Sequence, residues 1–331
     1  MPRRPDIDLT KGLAILLVVF GHLVARADPA HVDWYEPLRR AIYAFHMPLF
    51  LYLSGLLAVT SGTILAPRAT WPAIVRARAK RLLLPFFALG IAVVAVKLLA
   101  ARFMVVDNPP SGWLPGLSGL VWNTAHSPAL SVWYLFVLFV VSLASLFLLN
   151  GKPERIPTLT AAFLVLYALP FPTTLYLDRI GEYAIFFALG LWAGFLGARW
   201  DAFIDRTWPL LLPVFLACLI LILIFYNNWN EKFLLLPVGA LSMPALHGWL
   251  RTWRASSARA FIFLGRYSFM IYLFNTLFIG LTKGLLLHFC SWNGANFLPF
   301  AAVLMFCGTL GPVALKFALL RRSKTLDRLT H

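Results

Sequence analysis

Lys11 and His22 bracket an apolar run, eleven residues apart. At 100° per residue that separation is about three turns plus 20°, so a helix here presents both side chains on one face, roughly 16 Å apart along its axis. Asp8, fourteen residues before His22, falls about 40° off that face. Gly12 and Gly21 flank the two ends and admit a close neighbour. Ionisable groups in an apolar segment are costly, and they face a protein interior or a cavity. His46 sits early in a second apolar run. Histidine is the side chain best matched to proton transfer at neutral pH, so His22 and His46 are the candidates for acid–base work. Each residue also has a structural use. Lys11 and Asp8 suit a membrane interface, where lysine snorkels, and the histidines suit hydrogen-bonded packing positions. A cleaved leader is a third reading of the opening, from Arg3, Arg4, the apolar run and Ala25-Arg26-Ala27. The rest of the chain is just as apolar, so the first run needs no separate export role.

The elements that must position these residues are membrane helices. The chain has 331 residues, of which 60% are hydrophobic and 13% charged, with a mean hydropathy of +0.78. A soluble domain carries about 25% charge. The expected fold is all-α, a single polytopic membrane domain over residues 1–331 with a short basic tail at 321–331. Ten segments are long enough, or nearly so, for a ~30 Å hydrocarbon layer. They are residues 9–25, 41–60, 82–100, 131–149, 158–171, 182–198, 209–226, 233–250, 267–287 and 297–320, the fifth being short and weak. The net charge of +16 superficially suits a nucleic-acid binder. The charges sit instead in short loops between apolar runs, as membrane topology dictates, so no nucleic-acid partner is expected. Cys218, Cys290 and Cys307 are too few and too scattered for a disulfide framework or a metal site.

Of the 29 lysines and arginines, nineteen fall on the N-terminal side of this reading, six on the other, and four in or at the edges of spans. That bias makes the N-terminal side cytoplasmic, with both termini inside. Lys11 is then near the cytoplasmic face and His22 near the outer face. His46 lies on the returning helix at the depth of His22, where the two can share a pocket.

Several stretches together resemble one family. Asp8-Leu-Thr-Lys11-Gly-Leu-Ala-Ile through Val19-Phe-Gly21-His22 is similar to the opening helix of the integral-membrane acyltransferase family 3, with its basic residue, ten residues, then His. Phe45-His46-Met-Pro48-Leu-Phe50, ending in Ser54-Gly55, resembles its second helix, most closely in the fucose 4-O-acetylase group. Arg76-Ala-Arg78-Ala-Lys80-Arg81 before Pro85, Val132-Trp133-Tyr134-Leu135, and Leu264-Gly265-Arg266-Tyr267-Ser268 resemble later motifs. One departure is Asn275, where many members carry a histidine shortly after the late Tyr-Leu pair.

The resemblance implies transfer of an acyl group, usually acetyl from acetyl-CoA, to a sugar or glycan hydroxyl. It implies no metal, and a minimal enzyme without an appended outer domain. Such a transfer needs a base for the hydroxyl proton. His22 is the candidate, either as that base or as a nucleophile that briefly carries the acyl group, and the sequence leaves both open. Asp8 is too far along the helix to orient His22, so Asp8 and Lys11 would shape the cytoplasmic mouth. Arg76, Arg78, Lys80, Arg81 and Arg266 are apt partners for coenzyme A phosphates, with positive-inside charge and anionic-lipid contact as the plainer use. Trp133, Tyr134 and Glu182 are expected on the acceptor side, together with the Trp-rich residues 101–130. An interfacial aromatic belt explains those aromatics as well, and Glu182 is placed to pair with Arg179 or to favour a helix N-terminus. The partners implied are a glycan or lipid-linked sugar, membrane lipids and, left open, a second copy of the chain. The location implied is a bacterial inner membrane. A proton-coupled transporter or a lipid-linked sugar flippase is the competing class. Paired Gly/Pro-interrupted segments, which a transporter would show, are lacking, and a flippase leaves the Lys11–His22 spacing unexplained.

Overall fold

In a computed structural model the chain is all helical. The structure describes residues 4–24, 29, 31–103, 106, 108–225, 231–319 and 322. The tail at 321–331 lies outside the described residues except for Arg322, as does Ala25-Arg26-Ala27. The helices are α1 (Pro5–Gly21), α2 (Tyr35–Tyr43), α3 (His46–Thr60), α4 (Trp71–Arg78), α5 (Leu84–Ala100), α6 (Trp113–Val121), α7 (Trp133–Leu149), α8 (Ile156–Ala168), α9 (Leu177–Leu196), α10 (Ala198–Phe225), α11 (Glu231–Arg251), α12 (Ala255–Arg266), α13 (Ser268–Phe289) and α14 (Phe297–Ala318). No β-strand occurs among the described residues. A chain this apolar has no water to satisfy its backbone, and helices satisfy it internally.

Seven helical stretches among the described residues are long and apolar enough to cross a membrane. The protein is an integral membrane protein. Of the ten segments read from the sequence, those carried by α1, α8 and α11 are not among the seven. α8 has only 13 residues, about 20 Å of helix against a ~30 Å layer.

Prolines explain where the helices differ from the sequence reading. Residues 41–60 do not form one helix: the chain breaks at Ala44–Phe45, and His46 starts α3. Pro48 has no N–H to give to the carbonyl of Ala44, so a continuous helix would lose that bond, whereas the first turn of a new helix tolerates proline. The third segment begins earlier than residue 82. α4 runs into α5 through a π-helical turn, Ala79–Leu83. Pro85 leaves the Arg81 carbonyl four residues back without a donor, and a widened turn absorbs that defect.

Close helix pairs build the bundle. α3 packs on α9, α1 on α12, α10 on α11 and α13 on α14. A methyl group on Gly55 would fall on the Phe187 carbonyl, and one on Gly190 on the Tyr52 carbonyl. Gly12 meets the Phe261 carbonyl in the same way, and Gly265 the carbonyl of Asp8. Small residues let membrane helices approach to backbone contact. One continuous apolar core runs through the bundle. α6 folds back along α5, with Gly116 against Val94 and Leu120 against Gly90.

Candidate active site

α1 carries Lys11 in its interior and stops at Gly21. His22 is the first non-helical residue, with φ −100° and ψ 1°. Gly21 is held from across the bundle: the Tyr43 hydroxyl donates to its carbonyl at 2.8 Å, and the Tyr43 ring fills the space a side chain on Gly21 would need. The preceding residue is held as well, with the Tyr35 hydroxyl donating to the Phe20 carbonyl at 2.6 Å. The two loop-bordering tyrosines of α2 therefore fix the end of α1 that carries His22.

Tyr43 also packs against His46, ring centroids 4.9 Å apart. His46 is buried, and its Nδ1 lies 2.8 Å from the Ile42 carbonyl. A carbonyl only accepts, so Nδ1 carries the proton and Nε2 presents a lone pair. His22 is half-buried, and its ring makes no hydrogen bond with a described residue. His46 and Arg39 lie within electrostatic range of His22. Arg39 lies over Tyr43 at 5.8 Å and pairs with Glu36. The structure thus brings His22 and His46 together around Tyr43, one imidazole polarised by the backbone and the other uncommitted, beside a guanidinium. Such a set accepts a proton, hands it on and faces a developing negative charge.

A second polar group lies along α3. The hydroxyls of Ser54 and Tyr134 are 3.0 Å apart, and Tyr134 donates to the Phe50 carbonyl at 3.3 Å. Ser54 is eight residues from His46, about 12 Å along the helix. Arg81, in the π turn, is in electrostatic contact with Tyr134 and lies over the Phe269 ring at 5.7 Å. Its side chain is otherwise exposed. Of the other basic residues, Arg76 and Lys80 are exposed, and Arg78 donates to Thr63 at 3.3 Å.

The other sequence candidates are placed as follows. Tyr134 is buried against Tyr272 and Phe50. Trp133 packs on Tyr183 at 4.9 Å with Arg179 over its ring at 5.6 Å. Arg179 and Glu182 pair at 3.5 Å, one of the two arrangements the sequence allowed. Asp8 is buried, 3.9 Å from Arg266, so these two join at the end of α1 remote from His22. Lys11 lies one turn further along α1, half-buried. Sequence reasoning passed over Tyr43, Arg39 and a cluster around Asp6 and His247. Tyr43 ends α2 three residues before His46 starts α3, and the break between the two helices, which the sequence reading did not foresee, is what sets the two rings against each other.

A family model described as an acyltransferase domain matches residues 4–317. The chain belongs to acyltransferase family 3. Two proteins named Nodulation protein NolL are similar over part of the chain. The one from Sinorhizobium fredii is 48% identical over 80 residues, 24% of this chain and 21% of that protein. The one from Mesorhizobium japonicum is 43% identical over 82 residues, again 24% and 21%. The chain thus aligns with about a fifth of the length of these relatives. No solved structure matches. The matched family model covers nearly the whole chain, and the helices place the protein in a membrane.

Proposed function

We propose that the protein moves an acetyl group from cytosolic acetyl-CoA to a hydroxyl of a cell-surface glycan, an exopolysaccharide or a lipid-linked sugar precursor. The reading places the Asp8 end of the bundle in the cytoplasm of a bacterial inner membrane. The single observation that carries it is the pairing of His22 with His46 around Tyr43, set apart along α3 from Ser54, Tyr134 and Arg81. Acetyl-CoA phosphates sit among Arg76, Arg78 and Arg81, with Lys11 and the Asp8–Arg266 pair at the mouth. The thioester reaches toward the histidines. The acceptor hydroxyl approaches His22 from the outer side, past Trp133 and the Arg179–Glu182 pair. His22 takes the hydroxyl proton as the new ester C–O bond forms and the thioester C–S bond breaks, and the thiolate leaves with coenzyme A. Arg39 lies where it offsets the charge on the tetrahedral oxygen. An acetyl-histidine on His22 is the two-step form of the same exchange.

The test is transfer of label from radiolabelled acetyl-CoA in membranes that hold this chain and host glycolipids, wild type beside His22→Ala. Label in a glycan fraction that disappears in the mutant is the expected result. A well-expressed His22→Ala protein with normal activity removes His22 from the mechanism.

A further inference from the structure

The Asp6 end of α1 holds a polar cluster that the reaction does not use. His247 of α11 is wholly buried. Its Nε2 lies 3.1 Å from the Asp6 carboxylate on α1, and its Nδ1 lies 2.9 Å from the Tyr52 hydroxyl on α3. Trp200 of α10 donates to that same hydroxyl at 2.7 Å. The directions close consistently: Trp200 gives to Tyr52, Tyr52 gives to Nδ1, and Nε2–H gives to Asp6. Asp6 also accepts from Arg4 at 2.6 Å and from Arg251 at 3.0 Å. Arg4 reaches on to Asp201 at 2.9 Å, and Arg251 grips Asp205 through two hydrogen bonds of 2.7 and 3.0 Å. The arginines tie α1 to α10 and α11. His247 thus hydrogen-bonds to both α1 and α3.

Those two helices carry the two histidines of the site. Tyr52 is six residues from His46, about 9 Å of helix, and Asp6 is sixteen residues from His22, about 24 Å. A helix is stiff along its axis, so the register fixed at His247 sets the relative height of His22 and His46. We infer that His247 is a positioning residue that holds α1 and α3 in the register that juxtaposes His22 and His46. This rests on the reading of those histidines as the reacting pair. Misplacing reacting groups by about 1 Å can cost about a hundredfold in rate, whereas donor binding near Arg81 is untouched by such a slip.

Two measurements on the full chain test the inference. The first compares rates of label transfer from radiolabelled acetyl-CoA, per folded enzyme, for wild type, His247→Ala, His247→Gln and Tyr52→Phe. The expected result is a fall in kcat of about tenfold or more in His247→Ala and Tyr52→Phe, with the KM for acetyl-CoA unchanged. His247→Gln, which keeps one donor and one acceptor, should recover much of the rate. The second measures the distance between spin labels at Leu16 on α1 and Ser61 just after α3, in a variant without the three native cysteines. The distribution should be narrow with His247 and broad or displaced in His247→Ala. Wild-type kcat in folded Tyr52→Phe and His247→Ala overturns the inference, as does a raised KM at constant kcat or an unchanged distance distribution. If His247→Ala does not fold, Tyr52→Phe decides, since it keeps the ring and its packing. If the wild type transfers no label, the functional reading fails, and the distance measurement still decides the bridge.

Discussion

At the scale of single residues, the two histidines differ in their hydrogen bonds, and the proposed mechanism divides their roles accordingly. The Ile42 carbonyl fixes the His46 tautomer with Nε2 as acceptor, while the His22 ring is uncommitted among the described residues. His46→Ala should therefore lower transfer by about a hundredfold, the lower end of what a positioned proton-transfer group contributes, without the complete loss expected for His22→Ala. Initial rates on protein shown to be folded check this, and equal losses in the two variants would mean that both histidines are essential. Tyr43→Phe removes one hydrogen bond to Gly21 and should cost about 1 kcal/mol of stability, read from thermal unfolding in detergent. The histidines were legible in the sequence because an imidazole stands out in an apolar run. Tyr43 and Arg39 were not, because aromatic and basic residues near a membrane surface are ordinary there. His247 was hidden for a related reason: its partners Asp6 and Tyr52 are 241 and 195 residues away, and no local spacing reports a contact of that range.

At the scale of elements, the helices that carry His22 and His46 are held by backbone contact. α3 lies on α9 where Gly55 meets the Phe187 carbonyl and Gly190 meets the Tyr52 carbonyl. Gly190→Val puts two methyl groups into that contact. Overpacking of this kind costs about 1–3 kcal/mol, and here it pushes on the turn of α3 that bears Tyr52. The expected outcome is a lower unfolding temperature together with reduced transfer, and an unchanged unfolding temperature would show that α9 yields without cost. Helix existence was legible from apolar runs, and most segments appear near their expected limits. The break before His46 and the π turn before Pro85 were not read, although Pro48 and Pro85 were both visible. Hydropathy averages over such positions, while the hydrogen bond that a proline withholds is a single local event. α12 escaped for a different reason: it has 12 residues, too few to span, and only its contact with Gly12 and Asp8 shows what it supports.

At the scale of the whole molecule, α1 begins and α14 ends at one end of the bundle. Asp8 lies beside Arg266, and Lys316 of α14 lies 5.9 Å from the ring of Tyr267, the residue that follows. The same end gathers Arg4, Asp6, Asp201, Asp205 and Arg251 into one ionic network. The opposite end carries His22, Arg39 and an aromatic cap in which Trp292 stacks on Phe300 at 4.7 Å. Basic residues are retained on the cytoplasmic side, and the proposed function takes the Asp8 end as that side, in line with the nineteen-to-six bias of the sequence. The assignment matters for the proposed chemistry, in which the donor is cytosolic acetyl-CoA and Arg81 is one of the groups that meets it. Single cysteines at Asp33, in the loop after α1, and at Gly62, in the turn after α3, test it in a background without Cys218, Cys290 and Cys307. A membrane-impermeant maleimide applied to intact cells should label the cysteine at position 33, and label that at position 62 only after permeabilisation. The reverse pattern would put the arginine cluster of α4 outside the cell, out of reach of cytosolic acetyl-CoA. The donor would then have to be found on the other side of the membrane, even with the histidine pair unchanged.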